Sequence, residues 1–315
     1  MIFSPKLRRG DLVALVSPAS PLPPDQPVEE IARAVERLGL RVRIGDSCRG
    51  AAPSGYGAAT VACRAADINS AFRDPAVGGI WCTRGGSTSA SLLERLDYRA
   101  IVAHPKAFIG FSDVTSLHLA LARRCGMVTF HGPTANRALS WGEEDFGWRS
   151  LWAALTMGEC LPLENPPGET LLCLRPGRAW GPLVGGNLTL VAASMGTPWQ
   201  VDARGRILFL EDVGEAVYAT ERALVQLQHG GIFHQAAGVL LGPFTRWRND
   251  YRPDYGPLEL MAAFFADSPK PVVWNVRSAH VSPMATLPLG AFCRVDGDRG
   301  AVAFFRGRAE KAPGQ

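Results

Sequence analysis

The residues of this sequence best suited to nucleophilic chemistry surround Ser112, in residues 106–115. The apolar run 107–109 is typical of a buried strand, and a helical pattern begins at Val114, so the serine falls on a sharp turn between the two. Such a turn holds a hydroxyl at the carboxyl end of a sheet and points the amides of the helix start outward, as in a nucleophile elbow. The second glycine of the lipase-type elbow is missing here, and capping of the helix by Ser112 is the structural alternative.

A serine hydroxyl needs a base to take its proton, usually a histidine that is oriented by a carboxylate. Of the six histidines, two follow strand-like runs and are candidates for the base, His131 and His280, and the polar surroundings of His280 favour a functional role for it. Among the carboxylates, Glu211 ends the apolar run 207–210, where a charge must face a partner or a cleft. Its acidic neighbours Asp212 and Glu215 are equally suited to cap a helix. Spacing alone does not choose among these groups.

Acyl transfer also needs amide donors where negative charge develops on the attacked carbonyl. The N–H of Asp113 is one natural donor, because it lies at a helix start. The Gly85-Gly86 pair follows another strand-like run and can offer a second donor, since glycine lets the backbone approach a substrate closely. The alternatives for this pair are an ordinary turn and a phosphate cradle, although the sequence contains no complete phosphate-binding loop or dinucleotide fingerprint.

Strand and helix patterns alternate through the first half of the chain. Strand-like runs cover residues 12–16, 40–44, 79–83, 107–109 and 127–130. This alternation predicts a parallel sheet covered on both faces, with sites at the carboxyl ends of the strands. The second half is predicted to be mixed α/β, with a helix from Asn187 to about residue 195 and a strand that ends on Glu211. We predict an N-terminal domain over 1–140, a connecting segment over 141–180 and a C-terminal domain over 181–315.

Composition excludes several classes of protein. The chain has 315 residues, a net charge of +4 and only short basic clusters, so no nucleic-acid partner is expected. Seven scattered cysteines without a paired spacing argue against a disulfide framework and against a zinc site. No apolar run reaches membrane-spanning length, and the N-terminal one is too short for a secretory signal. We therefore expect a cytoplasmic protein with no membrane partner, no metal and no cofactor.

Taken together, five parts of the chain resemble the LD-carboxypeptidases, serine peptidases of the S66 type with which microcin-immunity amidohydrolases are grouped. The resemblance lies in residues 10–20 (GDLVALVSPAS), 80–86 (IWCTRGG) with 92–98 (LLERLDY), 110–115 (GFSDVT), 185–188 (GGNL) with 208–213 (LFLEDV), and 280–290 (HVSPMATLPLG). These segments span nearly the whole chain in the order of the family.

The resemblance implies a catalytic triad of Ser112, Glu211 and His280, and an oxyanion hole formed by the amides of Gly86 and Asp113. It also implies a flavodoxin-like N-terminal domain, a smaller β-rich mixed α/β C-terminal domain, and a homodimer. The nucleophile and its base would then come from different domains, so that domain placement would control activity.

The implied activity is removal of the terminal D-alanine from a murein tetrapeptide in cell-wall recycling, by a metal-independent serine carboxypeptidase acting through an acyl-enzyme. Arg84, Ser87 and Asn187 are candidate substrate contacts, although many members have tyrosine and glycine after the glycine pair where this chain has Ser87-Thr-Ser89. One rival hypothesis keeps the triad and changes the substrate to peptidyl- or aminoacyl-nucleotides. Another is a binding protein that has lost turnover on the same scaffold.

Overall fold

A computed structural model describes residues 1–307 of the chain. The chain divides into two compact units, an N-terminal unit over Met1–Thr156 and a C-terminal unit over Met157–Gln315. Within the described residues, no helix is both long and apolar enough to span a membrane.

The N-terminal unit contains five parallel strands and five helices. The strands are β1 (Leu12–Val16), β2 (Arg41–Ile44), β3 (Val77–Cys82), β4 (Ala107–Gly110) and β5 (Thr129–His131). The helices are α1 (Val28–Arg37), α2 (Val61–Arg73), α3 (Tyr98–Ala103), α4 (Thr115–Cys125) and α5 (Phe146–Leu155). The strands lie side by side in the order β2-β1-β3-β4-β5. This is the flavodoxin-like order, and it confirms the predicted parallel sheet.

The apolar character of the N-terminal strands explains their position. All four residues of β4 are buried, and β1 and β3 are buried along nearly their whole length. Strands of a parallel sheet are covered on both faces, so they appear in the sequence as continuous apolar runs. Each such run ends at the same edge of the sheet, which gathers the residues that follow β1, β3 and β4.

The C-terminal unit is built on a mixed sheet. Its strands are β6 (Cys160–Pro162), β7 (Leu172–Arg175), β8 (Arg178–Asn187), β9 (Ile207–Val213), β10 (Gly238–Thr245), β11 (Val272–Trp274), β12 (Leu287–Leu289), β13 (Phe292–Asp296) and β14 (Ala301–Phe305). Its helices are α6 (Leu188–Ala193), α7 (Val217–His229), α8 (Ile232–Gln235) and α9 (Pro257–Phe264). Eight strands follow the order β6-β14-β13-β8-β9-β10-β11-β7. The central strands β8 to β11 are parallel, and the pairs outside them are antiparallel.

The segment predicted as a connection, 141–180, carries secondary structure of its own. Helix α5 belongs to the N-terminal unit, whereas β6 and β7 form the two edges of the C-terminal sheet. Asn187 differs from the sequence-based expectation in a small way: it is the last residue of β8, and helix α6 begins one residue later. The two units span similar lengths of chain.

Candidate active site

Ser112 lies on a turn whose backbone is in the left-handed region. Strand β4 ends at Gly110, and Ser112 has a φ of 66°, an unusual conformation for a residue with a side chain. A single helical turn over Ser112–Val114 follows, and α4 then begins at Thr115. The predicted strand, turn and helix are therefore present, with the backbone strain that is found at nucleophile elbows.

The Gly85-Gly86 pair lies against the Ser112 turn. A methyl group on Gly85 would come within 2.9 Å of the Ser112 Cβ and 3.2 Å of its Oγ. Gly86 has a φ of +126°, and a methyl group there would come within 2.2 Å of the Ser20 Oγ. Only glycine fits either position, and Gly86 is exposed.

Ser89 and Asp113 join the glycine loop to the Ser112 turn. The backbone N–H of Ser89 donates to Oδ2 of Asp113 at 2.8 Å, and the Ser89 hydroxyl donates to the Asp113 carbonyl. Asp113 is buried, which raises the pKa of its carboxyl group, while the hydrogen bonds from Ser89 and the charge of Arg64 oppose that shift. These hydrogen bonds therefore connect the glycine loop to the Ser112 turn, the two backbone segments that carry the expected oxyanion amides.

Arg64, on α2, fixes the same loop from the other side. Its Nη1 donates to the Pro18 carbonyl at 2.6 Å and to the Thr88 hydroxyl at 2.9 Å, and its Nε donates to the Ala59 carbonyl at 3.0 Å. Thr88 has a φ of 80°, so this loop is held in a conformation that costs free energy by itself. A buried arginine in a helix gives no sequence signal of such a role, and sequence analysis missed both Arg64 and Ser89.

In the C-terminal unit, Glu211 and His280 form a hydrogen-bonded pair. Glu211 lies near the end of β9 with no exposed surface, and its Oε2 accepts from Nδ1 of His280 at 2.9 Å. Burial raises the pKa of Glu211, and the hydrogen bond and charge of His280 oppose that shift. Since Nδ1 donates to the carboxylate, Nε2 is the nitrogen that can act as a base. The sheet thus pairs the carboxylate with one of the two histidines that the sequence left open.

The other histidine, His131, is buried in the N-terminal unit. Its ring lies 5.9 Å from that of Phe111 and 6.3 Å from that of His118, so it packs within an aromatic cluster. His118 is also buried, with Nε2 donating to the Gly110 carbonyl at 2.8 Å and Nδ1 accepting from the Thr129 hydroxyl at 2.8 Å. His118 therefore supports the end of β4, from which the Ser112 turn departs.

Asn187 and Asp212 anchor the strands beside Glu211. Asn187 lies opposite Glu211 in the β8–β9 pairing, its Oδ1 accepts from the Leu190 N–H at 3.2 Å, and its Nδ2 donates to Asp212 at 2.7 Å. Asp212 also accepts from the N–H and the hydroxyl of Thr189 at 3.0 and 2.8 Å. Of the two roles considered for Asn187, the structure shows helix capping.

The remaining candidate contacts lie near the glycine pair. Arg84 is half-buried and its Nη1 donates to the Pro21 carbonyl at 2.8 Å, while Ser87 is exposed and its backbone N–H donates to Ser20 Oγ at 3.1 Å. Within residues 1–307, no group of three or more His, Cys, Asp or Glu side chains is arranged to hold a metal ion. The N-terminal unit thus carries a serine on a strained turn, and the C-terminal unit carries an imidazole–carboxylate pair.

Comparison with known proteins matches both halves of the chain. Family profiles described as the LD-carboxypeptidase N-terminal and C-terminal domains match residues 13–132 and 180–295. A Bacillus subtilis protein named probable murein peptide carboxypeptidase is 34% identical over 291 residues, covering 92% of this chain and 90% of the relative.

Two solved structures have the same fold. The muramoyltetrapeptide carboxypeptidase of Oxalobacter formigenes has a TM-score of 0.80 and 27% identity, with 93% of this chain and 97% of that one covered. The protein MccF, in complex with glutamyl sulfamoyl guanosine, has a TM-score of 0.88 and 25% identity, with 96% and 98% covered.

Proposed function

Because this chain belongs to the LD-carboxypeptidase family of serine peptidases, we propose that it removes the terminal D-alanine from murein tetrapeptides in cell-wall recycling. The observation that carries the proposal is the hydrogen bond between the fully buried Glu211 and His280. Burying the carboxylate of Glu211 costs free energy of desolvation. Orientation of His280 as a general base is a function that explains why a carboxylate occupies this buried position. The left-handed turn at Ser112 supplies the matching nucleophile.

In the proposed mechanism, Nε2 of His280 takes the proton of the Ser112 hydroxyl as its Oγ attacks the carbonyl carbon of the scissile peptide bond. The imidazolium that forms is stabilised by Glu211, which also fixes the ring tautomer. The amides of Gly86 and Asp113 donate to the oxyanion of the tetrahedral intermediate. When the C–N bond breaks, the imidazolium gives its proton to the amine of the leaving D-alanine and an acyl-enzyme remains.

Water then repeats the same steps. His280 takes a proton from a water molecule, whose oxygen attacks the ester carbonyl of the acyl-enzyme, and the proton passes to Ser112 Oγ as the ester bond breaks. The product is the shortened peptide, and the enzyme returns to its starting state without a metal or cofactor.

For the substrate we propose that Arg84 and Ser87 provide contacts beside the glycine pair. A guanidinium suits the terminal carboxylate of the peptide, because it can donate more than one hydrogen bond to it. One N–H of Arg84 donates to the Pro21 carbonyl. A guanidinium has five N–H groups, so this contact leaves others to bind the carboxylate of the substrate. Asn187 caps α6 and binds Asp212 through its side chain, and a contact between Asn187 and the substrate stays a prediction.

The fold likeness to MccF favours one alternative, cleavage of an aminoacyl-nucleotide by the same residues. The test is to incubate the purified protein with a murein tetrapeptide ending in D-alanine and, separately, with an aminoacyl sulfamoyl adenylate. Release of D-alanine alone supports the carboxypeptidase, and cleavage of the adenylate alone supports the alternative. If neither substrate is cleaved by wild-type protein, a binding protein without turnover is favoured.

We further propose that the protein acts in the cytoplasm as a homodimer. All seven cysteines lie in the described part of the chain and are free, which suits a reducing compartment. Cell fractionation that recovers the protein with the periplasm would refute the location, and light scattering that gives the mass of one chain would refute the dimer.

A further inference from the structure

The loop that carries His280 is held by the segment that precedes β7, and this contact points to a positioning device. The backbone leaves β11 at Trp274 and turns at Asn275, which has a φ of 67°. One residue later the N–H of Val276 still donates to the Leu241 carbonyl of β10 at 3.0 Å. The chain therefore continues along the sheet for a short distance after β11 ends, and its other side needs a partner.

Asn165 is that partner. Its Nδ2 donates to the Asn275 carbonyl at 2.7 Å, and its Oδ1 accepts from the Arg277 N–H at 3.1 Å. A neighbouring strand makes the same pair of bonds to residues on either side of a central one in a parallel ladder. The side-chain amide of Asn165 thus makes the two hydrogen bonds that a neighbouring strand would make. It fixes the backbone of Asn275 and Arg277, which lie five and three positions before His280.

Glu169 adds a second connection to the same two residues. The side chain of Asn275 donates to Glu169 Oε2 at 3.1 Å and to the Thr170 carbonyl at 2.8 Å. The guanidinium of Arg277 lies 3.4 Å from Glu169 Oε1, and this pair is partly shielded from water, with 19% and 37% of the side chains exposed. The carboxylate of Glu169 therefore joins the strained Asn275 to Arg277.

The His280 loop closes on the residue that these contacts fix. The N–H of Ala285 donates to the Arg277 carbonyl at 2.7 Å, and the N–H of Ser278 donates to the Val276 carbonyl at 2.6 Å. His280 lies inside the closed stretch 277–285, opposite Glu211. A change in the position of Arg277 would therefore move the imidazole of His280 relative to the carboxylate of Glu211, which is fixed in β9.

We propose that Asn165 and Glu169 are positioning residues for His280, acting through Asn275 and Arg277. This inference rests on the proposed function, in which His280 is the general base. Misplacing a catalytic group by about 1 Å can cost about 10²-fold in rate, and the loss falls on kcat because the two residues have no assigned contact with substrate.

The test compares Asn165→Asp and Glu169→Gln with Glu164→Gln, an exposed neighbour of Asn165. Asn165→Asp keeps the size of the side chain and places an acceptor opposite the Asn275 carbonyl, whereas Glu169→Gln removes the charge that faces Arg277. We expect kcat for D-alanine release to fall at least tenfold in Asn165→Asp and about threefold or more in Glu169→Gln, with KM within threefold of wild type. The control should match wild type.

A second readout does not depend on activity. In protein labelled with 15N-histidine, the signal of the His280 imidazole, assigned from its loss in His280→Gln, should shift in both variants and not in Glu164→Gln. A wild-type protein that does not release D-alanine would overturn the proposed function, and the imidazole signal would still test the positioning. Folded variants with unchanged kcat or with an unchanged imidazole signal would overturn the inference, and Glu169→Gln decides it if Asn165→Asp does not fold.

Discussion

Glu211→Gln removes the charge beside His280 and keeps the volume of the side chain at a position with no exposed surface. Nδ1 and Oε2 lie 2.9 Å apart. The centres of the two charges are then about 4 Å apart, and with an effective dielectric constant of about 20 their attraction is about 4 kcal/mol. Since about 1.4 kcal/mol corresponds to a factor of ten, losing the charge predicts a fall in kcat of about 10³-fold.

The glutamine amide adds a second effect. If its NH2 group faces Nδ1, the imidazole proton moves to Nε2, and the ring can no longer accept the serine proton; a comparable triad loses about 10⁴-fold in kcat in this way. We therefore expect a fall in kcat of about 10³ to 10⁴-fold. Burial already raises the pKa of Glu211, so removing the charge relieves a cost, and we expect the free energy of unfolding to stay within about 1 kcal/mol of wild type.

The assay is release of D-alanine from a murein tetrapeptide, with kcat and KM measured at pH 7 and unfolding followed in urea. Glu215→Gln is the matched control, because this half-buried glutamate lies just after the same strand and has no assigned part in the chemistry. A folded Glu211→Gln protein with kcat within tenfold of wild type would refute the assigned role of Glu211. So would an equal loss of kcat in Glu215→Gln.

Three further changes have defined outcomes. Ser112→Gly should abolish D-alanine release and leave the protein as stable as wild type or up to about 1 kcal/mol more stable, because glycine relieves the left-handed backbone at a φ of 66°; unfolding in urea with lower stability would contradict this. Gly86→Ala should lower kcat by about 10²-fold through displacement of an oxyanion donor, and an unchanged kcat would remove Gly86 from that role. Acid should weaken the N-terminal unit, because burial lowers the pKa of His118 from 6.5 to about 4. Between these values the unfolded chain binds a proton that the folded chain does not, so the free energy of unfolding falls with falling pH, by about 3 kcal/mol in total. In His118→Gln this part of the acid loss should vanish from urea titrations at pH 7 and pH 4, and an identical acid loss would refute the assignment.

The local parts of the candidate site could be predicted from the sequence. The turn at Ser112 and the acidic end of β9 were predicted because a short apolar run followed by a polar residue is a signal within a few positions. The pairing of Glu211 with His280 comes from the family resemblance, since the residues alone favour His280 over His131 only by its polar surroundings. Long-range contacts of this kind are set by the sheet order, which single residues do not reveal.

Other parts could not be predicted, and each has a physical reason. The strand β8 is not predicted by the sequence pattern, and Gly185 and Gly186 at its carboxyl end are poor strand formers. Gly185 is required there, since a methyl group would come within 1.9 Å of the Phe209 carbonyl oxygen. Asn165 and Glu169 lie in a segment rich in proline and glycine, which is typical of a linker. Their contacts with Asn275 arise only when the chain returns more than a hundred residues later.

Glu211 and Asp212 are consecutive residues of β9, and their side chains therefore leave the strand on opposite sides. The apolar residues before them are buried on both sides, so hydrophobic alternation does not penalise a slip of one position. The register of β9 is instead fixed by the two carboxylates. Glu211 is hydrogen-bonded to His280, and Asp212 is hydrogen-bonded to Asn187 and Thr189. A one-residue deletion before Glu211 would turn both carboxylates to the opposite faces of the sheet, away from their partners. We expect this to abolish activity, although apolar side chains would still fill most of the core.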